Sequence, residues 1–531
     1  MRNKRLAATA GAVLLIGSVA ACGGDDDGGT TGSGSDEPVV IGTTDTVTST
    51  DPAGSYDLGS WTLIYNTYQN LMHIPAGAST PEPDAAESCD FADEGNTTYV
   101  CTLQEGLTFH DGSDLTAEDV VYSFERLLQI QDVSGGWTLL GVPEDEFGLK
   151  SVEASGDLEV TMELYAPDAT WPSRLTTGAA AIVPSDSDTY PADELAENGD
   201  VVGSGPYMME SYEDGESAQM VPFEDYAGPA DVQNGGAIMT YFPQESALSL
   251  AVENEEIDVA YRSLSPTTVE DLSTTEGLQI VEGEGTEIRY IVFNVDLEPG
   301  QEQAARQAMA ALVDREAIAE NVYSGTVEPL YSMVPQGLQF ATTAFADQYG
   351  EAPDSDLATQ LLEDAGVDTP VAVELWWTPT HYGAVSADEY AELERQFEAG
   401  GLFDITLESA EWNQYSEVSA QDQYPVFQLG WFPDFPDADN YTSPFFEADF
   451  YNSHYVNDRM NELIAAARAT TDEAEREQAY AEIQQIAAEE VPTIPIWQGQ
   501  QVSAVVDGVS GVEDTFDPSF TFRMWMITKS S

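Results

Sequence analysis

Residues 424–440 constrain the fold more than any other stretch, because a buried strand leads into a segment that cannot continue a sheet. Residues 424–429 (YPVFQL) are short and apolar enough to form that strand. Residues 430–440 (GWFPDFPDADN) combine glycine, aromatic side chains, two prolines and three carboxylates. Since proline stiffens the backbone and removes a donor, we predict a rigid loop at a strand's end, where ligand sites commonly lie. An indole beside a fixed carboxylate would suit a cationic head group. The alternative is a turn with solvated acids.

Strand and helix patterns alternate over the second half of the chain. Strand signals at 290–295 and 424–429 are interspersed with helical patterns at 302–313, 389–397 and 472–489. Such alternation predicts α/β layers. At 531 residues the chain is too long for one hydrophobic core, so two or three domains are expected.

The N-terminus has the pattern of an export signal. Residues 1–21 begin with three basic side chains, continue as a short apolar run and end in small residues before Cys22. This pattern is similar to the bacterial lipoprotein signal, in which the cysteine becomes the lipid-modified first residue. Residues 22–37 then form an acidic Gly/Ser tether that should be flexible. An ordinary secretory peptide with a chance cysteine is the alternative.

The chain is strongly acidic, with 96 Asp and Glu against 16 Lys and Arg, a formal net charge of −80. This charge excludes nonspecific binding to nucleic acid through phosphates. It should also destabilise the compact state by self-repulsion, which salt would screen. We interpret the acidity as an adaptation to a saline exterior. A surface tuned for divalent cations is the alternative, although no compact ligand loop is visible.

Two cysteines remain after Cys22. Cys89 and Cys101 flank a turn signal and a β-prone run, a spacing that fits a hairpin whose strands are bridged by a disulfide in an oxidising compartment. A metal site made from the two cysteines is disfavoured because no histidine pair is nearby.

Catalytic and metal-binding patterns are weak. The four histidines lack another histidine at ligand spacing: His73, His110, His381 and His454. The chain has no Gly-x-Ser-x-Gly motif, and carboxylate pairs carry little information in so acidic a sequence. We therefore expect no enzyme activity, no cofactor and no resident metal. A binding protein needs only a cleft, aromatic side chains and a few fixed charges.

Several landmarks occur together in one order. They are residues 19–22 (VAAC), 109–120 (FHDGSDLTAEDV), 203–207 (GSGPY), 293–318 with its RQA and DREAI motifs, and 430–440. With these landmarks the chain resembles the extracellular solute-binding proteins of family 5, which are the dipeptide and oligopeptide receptors of ABC importers and include nickel-binding members. The resemblance runs from about residue 38 to the C-terminus.

The resemblance implies an α/β fold of the periplasmic-binding-protein type, class II, with two lobes, a hinge and an extra inserted domain. Lobe I would combine residues 38–65, 196–285 and 496–531. The inserted domain would be 66–195, and lobe II would be 286–495. Ligand would lie between the lobes, which close by hinge bending.

The resemblance also implies a ligand site. The aspartate that pairs with the ligand's α-ammonium group in peptide-binding members matches Asp434, and Trp431 and Gly430 match residues that line the same pocket. Trp497 matches the aromatic after an Ile-Pro-Ile stretch, and Tyr56 would line the opposite side. No arginine matches a partner for the ligand's carboxylate.

The function implied is that of a monomeric receptor, held on the outer side of the cell membrane by its lipid anchor. It would capture peptides and deliver them to an ABC permease with its ATPase subunits. The alternatives are a receptor of the same family for nickel, a metal chelate or another small solute, and a lipid-anchored hydrolase.

Overall fold

The computed structural model describes residues 37–262, 264–419, 421–447 and 453–530. The predicted signal, Cys22 and all but the last residue of the tether lie outside the described residues. Within these ranges the strands are β1 (Val39–Thr43), β2 (Met72–His73), β3 (Glu82–Pro83), β4 (Ala86–Phe91), β5 (Thr98–Leu103), β6 (Gly141–Val142), β7 (Phe147–Ala154), β8 (Glu159–Leu164), β9 (Tyr207–Glu213), β10 (Ser217–Pro222), β11 (Ala237–Tyr241), β12 (Val259–Tyr261), β13 (Leu278–Gly283), β14 (Ile288–Phe293), β15 (Val327–Pro329), β16 (Val371–Trp377), β17 (Phe403–Ser409), β18 (Val426–Trp431), β19 (Thr493–Gly499), β20 (Gln501–Val506), β21 (Val509–Ser510) and β22 (Thr528–Lys529).

Over the same ranges the α-helices are α1 (Leu58–Thr67), α2 (Ala117–Ile130), α3 (Trp137–Leu140), α4 (Trp171–Arg174), α5 (Glu245–Glu253), α6 (Pro266–Ser273), α7 (Gln303–Leu312), α8 (Arg315–Asn321), α9 (Ala344–Tyr349), α10 (Ser355–Ala365), α11 (Ser386–Glu398), α12 (Trp412–Ser419), α13 (Ser443–Phe446), α14 (Asp458–Ala469) and α15 (Glu473–Glu490).

The first large sheet takes its strands from distant parts of the chain. Among the described residues it has seven strands in the order β13-β20-β12-β1-β11-β10-β9. β1 is parallel to both β11 and β12 and lies near the sheet's centre. Its apolar side chains Val39 and Ile41 are fully buried and pack with residues of β11, β12 and β20. Burial on both faces accounts for the apolar composition of this strand.

The second large sheet contains β18, the strand within residues 424–440. In the described ranges it has six strands in the order β15-β19-β14-β18-β16-β17. β14 pairs antiparallel with both β18 and β19, and all six of its residues are buried. One set of its side chains packs into a core with α7 and α11, and the alternate set into a core with α14 and α15.

A third sheet has five strands in the described ranges, in the order β4-β5-β8-β7-β6, and in sequence it falls between β1 and β9 of the seven-stranded sheet. Its core includes Val120, Phe124 and Leu127 on the apolar face of α2. Cys89 and Cys101 are register partners on β4 and β5 and are joined by a disulfide, which confirms that prediction.

The chain passes between the seven-stranded and six-stranded sheets at two neighbouring places. One passage joins β13 to β14, and the other joins β19 to β20. The Gly499 N–H donates to the Glu287 carbonyl at 2.8 Å, so the two passages lie side by side. A β-carbon at Gly285 would collide with the carbonyl of Gly499, and this close approach requires glycine.

The α/β prediction is confirmed, and the strands and helices predicted in the second half are present with small shifts at their ends. The prediction that the sheet stops before Gly430 is wrong. β18 continues through Gly430 and Trp431, which pair with Arg289 and Ile288. The first proline of the stretch is Pro433, so both residues keep the N–H that a sheet requires.

Candidate ligand-binding site

Asp434 lies just beyond β18, in a loop held together by Asn440. The Asn440 amide donates to Asp434 Oδ2 at 2.9 Å. Asn440 Oδ1 accepts the Asp434 backbone N–H at 2.9 Å and the Trp431 indole N–H at 3.1 Å. Asn440 itself is buried, so these bonds fix the loop and the half-buried carboxylate together.

Tyr56 reaches Asp434 from a distant part of the chain. Its hydroxyl donates to Asp434 Oδ1 at 2.6 Å, although the residues are 378 positions apart. Tyr56 follows a short 3-10 helix (Pro52–Gly54) and precedes α1, where Asp57 caps the first turn. Its ring lies 5.7 Å from that of Trp61, while 48% of the residue stays exposed. The structure thus brings together two of the predicted site residues.

The charge of Asp434 is not balanced by an ion pair. Burial raises the pKa of this carboxyl, while the hydrogen bonds from Tyr56 and Asn440 and the charge of Arg174 act in the opposite direction. Arg174 pairs with Asp168 at 3.0 Å and lies over the Phe435 ring. No basic side chain of the described ranges is within ion-pairing distance of Asp434. A carboxylate in this state can accept a charged donor from a ligand.

The other two acids of the loop are structural. Asp437 accepts from Arg476 at 2.8 Å, and Asp439 pairs with Arg468 at 3.0 Å. Asp439 is 1% exposed. The alternative in which all three acids are solvated in a turn is therefore wrong, because each of these two carboxylates neutralises an arginine from α14 or α15.

Gly430, Arg289 and Trp497 lie side by side across three strands. Arg289 on β14 pairs in register with Gly430 on β18 and with Trp497 on β19. A β-carbon at position 430 would collide with the Arg289 guanidinium, so glycine makes room for it. Trp497 is 5% exposed and packs 4.8 Å from the Tyr323 ring, which leaves its indole little open surface.

Arg289 is surrounded by rings and carboxylates. Its guanidinium lies 4.1 Å from the Tyr382 ring centre and 5.0 Å from that of Trp497. It forms an ion pair with Glu287. The Tyr382 hydroxyl also accepts the Gly430 N–H at 2.9 Å, which ties this cluster to the end of β18.

A cavity of about 490 Å³ adjoins the loop. It is lined on one side by residues of the five-stranded sheet and its helices, including Phe147 and Arg174. On the other side it is lined by Asp434, Asn440 and Arg468. The loop therefore borders open space in addition to the contact with Tyr56.

Metal-binding and membrane-spanning features are absent from the described ranges. No group of three or more His, Cys, Asp or Glu side chains there is placed to hold a metal ion. Helices in the same ranges do not combine the length and apolar character needed to cross a bilayer.

His381 stacks on Trp412 with ring centres 3.7 Å apart, and burial lowers the pKa of this imidazole to about 4.

Sequence reasoning missed three residues of the site. Asn440 lay inside residues 430–440, and its spacing from Trp431 did not indicate that it would hydrogen-bond to both the indole and Asp434. Arg289 and Glu287 lay just before the predicted strand at 290–295. A basic residue directly before an apolar strand was the available signal, because such a residue needs a partner once it is buried.

Residues 80–453 match the profile described as bacterial extracellular solute-binding proteins, family 5, middle region. The dipeptide-binding protein of Escherichia coli K12 is 25% identical over 470 residues, which cover 83% of this chain and 84% of that protein.

Two solved structures show the same fold. The ABC transporter substrate-binding protein CtaP of Listeria monocytogenes superposes with a TM-score of 0.81 at 22% identity, covering 94% of this chain and 100% of that chain. A dipeptide-binding protein of Pseudoalteromonas sp. SM9913, solved with Met-Leu, gives a TM-score of 0.76 at 20% identity, with 93% and 100% covered. These likenesses confirm the two-lobe periplasmic-binding-protein fold.

Proposed function

Because the chain belongs to the bacterial extracellular solute-binding proteins of family 5, we propose that it is the substrate-binding component of an ABC importer and captures peptides by their free amino end. The single observation that carries this proposal is Asp434, a half-buried carboxylate that is hydrogen-bonded but has no cation partner in the described ranges. The dipeptide-binding relatives support the choice of peptides.

The site has the chemistry needed for an ammonium group. Each oxygen of Asp434 accepts one hydrogen bond, from Tyr56 or from Asn440, and a carboxylate oxygen can accept a second. An ammonium group donates three hydrogen bonds and would supply the missing positive charge. Trp431 is half-buried beside the loop, and its ring could add a cation–π contribution.

The two-lobe fold suggests how ligand would be enclosed. Tyr56 belongs to the proposed lobe I (38–65, 196–285 and 496–531), and Asp434 belongs to the proposed lobe II (286–495). A ligand amine held by Asp434 would therefore lie where the lobes meet. The paired passages beside Gly285 and Gly499 are the proposed hinge.

Delivery would take place at the cell membrane. In this proposal Cys22 carries the lipid anchor, the tether spans the gap to the membrane, and the closed receptor delivers peptide to the permease and its ATPase subunits. The protein would act as a monomer and would have no enzymatic step.

Peptide capture is tested by offering the purified protein pools of random dipeptides to pentapeptides and measuring the bound fraction by native mass spectrometry. Capture of free-amine peptides, with loss of capture when the same pool is N-acetylated, is the expected result. Equal retention of both pools would contradict recognition through the amine. Retention of neither pool would argue for another solute.

A further inference from the structure

Arg289 lies between two residues predicted to line the ligand site. In the sheet it is the direct neighbour of Gly430 on one side and of Trp497 on the other. The Arg289 guanidinium also lies 6.0 Å from the ring of Phe432, in the segment that leads to Asp434. By position alone this guanidinium would be the group to meet the negatively charged end of a peptide.

The charge of Arg289 is already balanced by a protein carboxylate. Glu287, two residues earlier in the chain, forms an ion pair with it and keeps 20% of its own side chain exposed. Glu389 is 1% exposed and accepts the Tyr323 hydroxyl at 2.7 Å. Although burial lowers the pKa of Arg289, attraction from Glu287 and the neighbouring groups, including Glu389, outweighs it and raises that pKa. Burial raises the pKa of the Glu389 carboxyl, so Glu287 is the carboxylate that pairs with this guanidinium.

The other arginines around the loop are also paired. Arg174, over the Phe435 ring, pairs with Asp168 at 3.0 Å. Arg262, over the Phe432 ring, pairs with Asp45 at 3.2 Å. In the described part of the chain, two arginines lack a carboxylate partner, and their guanidinium groups donate to backbone carbonyls elsewhere: Arg306 and Arg315.

If Asp434 holds the ligand amine, as proposed above, we infer that this receptor binds cationic peptide-like amines with a neutral far end in preference to zwitterionic peptides. Such a neutral end would be an amidated or otherwise blocked carboxyl group. A free carboxylate entering beside Arg289 would be a second anion at a guanidinium that Glu287 already pairs with. It would lose its water without gaining an unshared charge partner. Removing an amide from water costs much less free energy than removing a carboxylate, and the amide can accept a hydrogen bond from the guanidinium.

Two pools of random dipeptides to pentapeptides test this inference, one with free carboxyl ends and one amidated, offered together at neutral pH. Molar NaCl reduces the Debye length to about 3 Å and so suppresses attraction to the net charge of the whole protein. We expect the bound fraction to favour amides by about fivefold or more. An N-acetylated pool is run in parallel to test the amine contact.

Glu287→Gln tests whether the charge of Glu287 causes the preference for amides, because it frees the Arg289 guanidinium while keeping the side chain's shape. This variant should shift the amide-to-acid ratio toward the free acids by about tenfold or more, since a desolvated guanidinium without its partner favours an incoming carboxylate. Glu163→Gln is the control, because it makes the same change in net charge at an exposed site on β8.

The outcomes separate this inference from the proposed function. Wild-type capture of free acids at or above the level of amides would overturn the inference and leave amine recognition intact, provided that the acetylated pool is not retained. An unchanged ratio in folded Glu287→Gln would also overturn it. If neither free-amine pool is retained, or acetylation has no effect, the proposed function fails and the inference fails with it.

Discussion

Replacing Asp434 with asparagine should weaken the binding of a free-amine peptide by about 30-fold or more. Truncating one partner of a buried charge pair costs ~2–5 kcal/mol, and each ~1.4 kcal/mol is a factor of ten in affinity. The lower end of that range already gives about 30-fold. The structure supports a value in this range because no arginine or lysine of the described ranges shares the carboxylate.

The same variant should keep the fold and gain stability. Asn440 Oδ1 already accepts two N–H groups, so its amide must still donate toward position 434, where the new side-chain oxygen can accept. The new NH₂ group then faces the Tyr56 hydroxyl, which can accept a hydrogen bond. The folded pKa of Asp434 is raised above its ordinary value, so its ionised form costs stability at pH above that folded pKa. Asn removes this cost, and the gain should disappear as acid protonates the wild-type carboxyl.

Calorimetry with one captured peptide and its N-acetylated form measures the first effect, and thermal melting at neutral and acidic pH measures the second. Glu374→Gln is the matched control, because Glu374 is an exposed acid on β16 of the same sheet. Asp437 and Asp439 would be poor controls, since each neutralises an arginine. Wild-type affinity in Asp434→Asn, or equal binding of the acetylated peptide, would refute the reasoning.

Three further predictions concern the rest of the chain. Replacing Cys89 and Cys101 together with serine should lower the free energy of unfolding by up to about 3 kcal/mol, because the closed loop is short; chemical denaturation measures this change, and unchanged stability would contradict it. Cys22→Ser should release the protein from membranes into the medium, because the acyl chains supply the anchor; retention in the membrane fraction with an unaltered mass would rule out lipidation. The melting temperature should rise with NaCl well beyond physiological strength, because salt screens the repulsion within a chain of charge −80; a flat or falling melting temperature would show that the acidity has another cause.

Local patterns were sufficient for the parts of the fold that depend on neighbours in sequence. Alternating strands and helices gave the α/β class, and the run before Gly430 gave β18. The spacing of Cys89 and Cys101 gave a hairpin in which the two cysteines are register partners. Each of these features depends on side-chain periodicity or turn residues within a short window.

The surroundings of Arg289 could not be predicted in the same way. Its neighbours Gly430 and Trp497 are more than a hundred residues away and are brought together by the register of β14 with β18 and β19. Sequence spacing does not determine such a register. The prediction that the sheet ends before Gly430 also hid the contact, because a residue outside the sheet would have no cross-strand neighbour.

The acids of residues 430–440 show how ion pairing distinguishes a binding residue from a structural one. In a chain with 96 acidic and 16 basic residues, a carboxylate without a cation is common at the surface and carries no information there. Inside the loop the situation differs, because Asp437 and Asp439 are each held by an arginine. Asp434 has the same loop environment but only neutral donors, Tyr56 and Asn440. Since burial makes an unbalanced charge costly, it raises the pKa of Asp434, and the ionised carboxylate costs stability. A bound cation would remove that cost, which is the physical reason for assigning ligand binding to Asp434 and not to its neighbours.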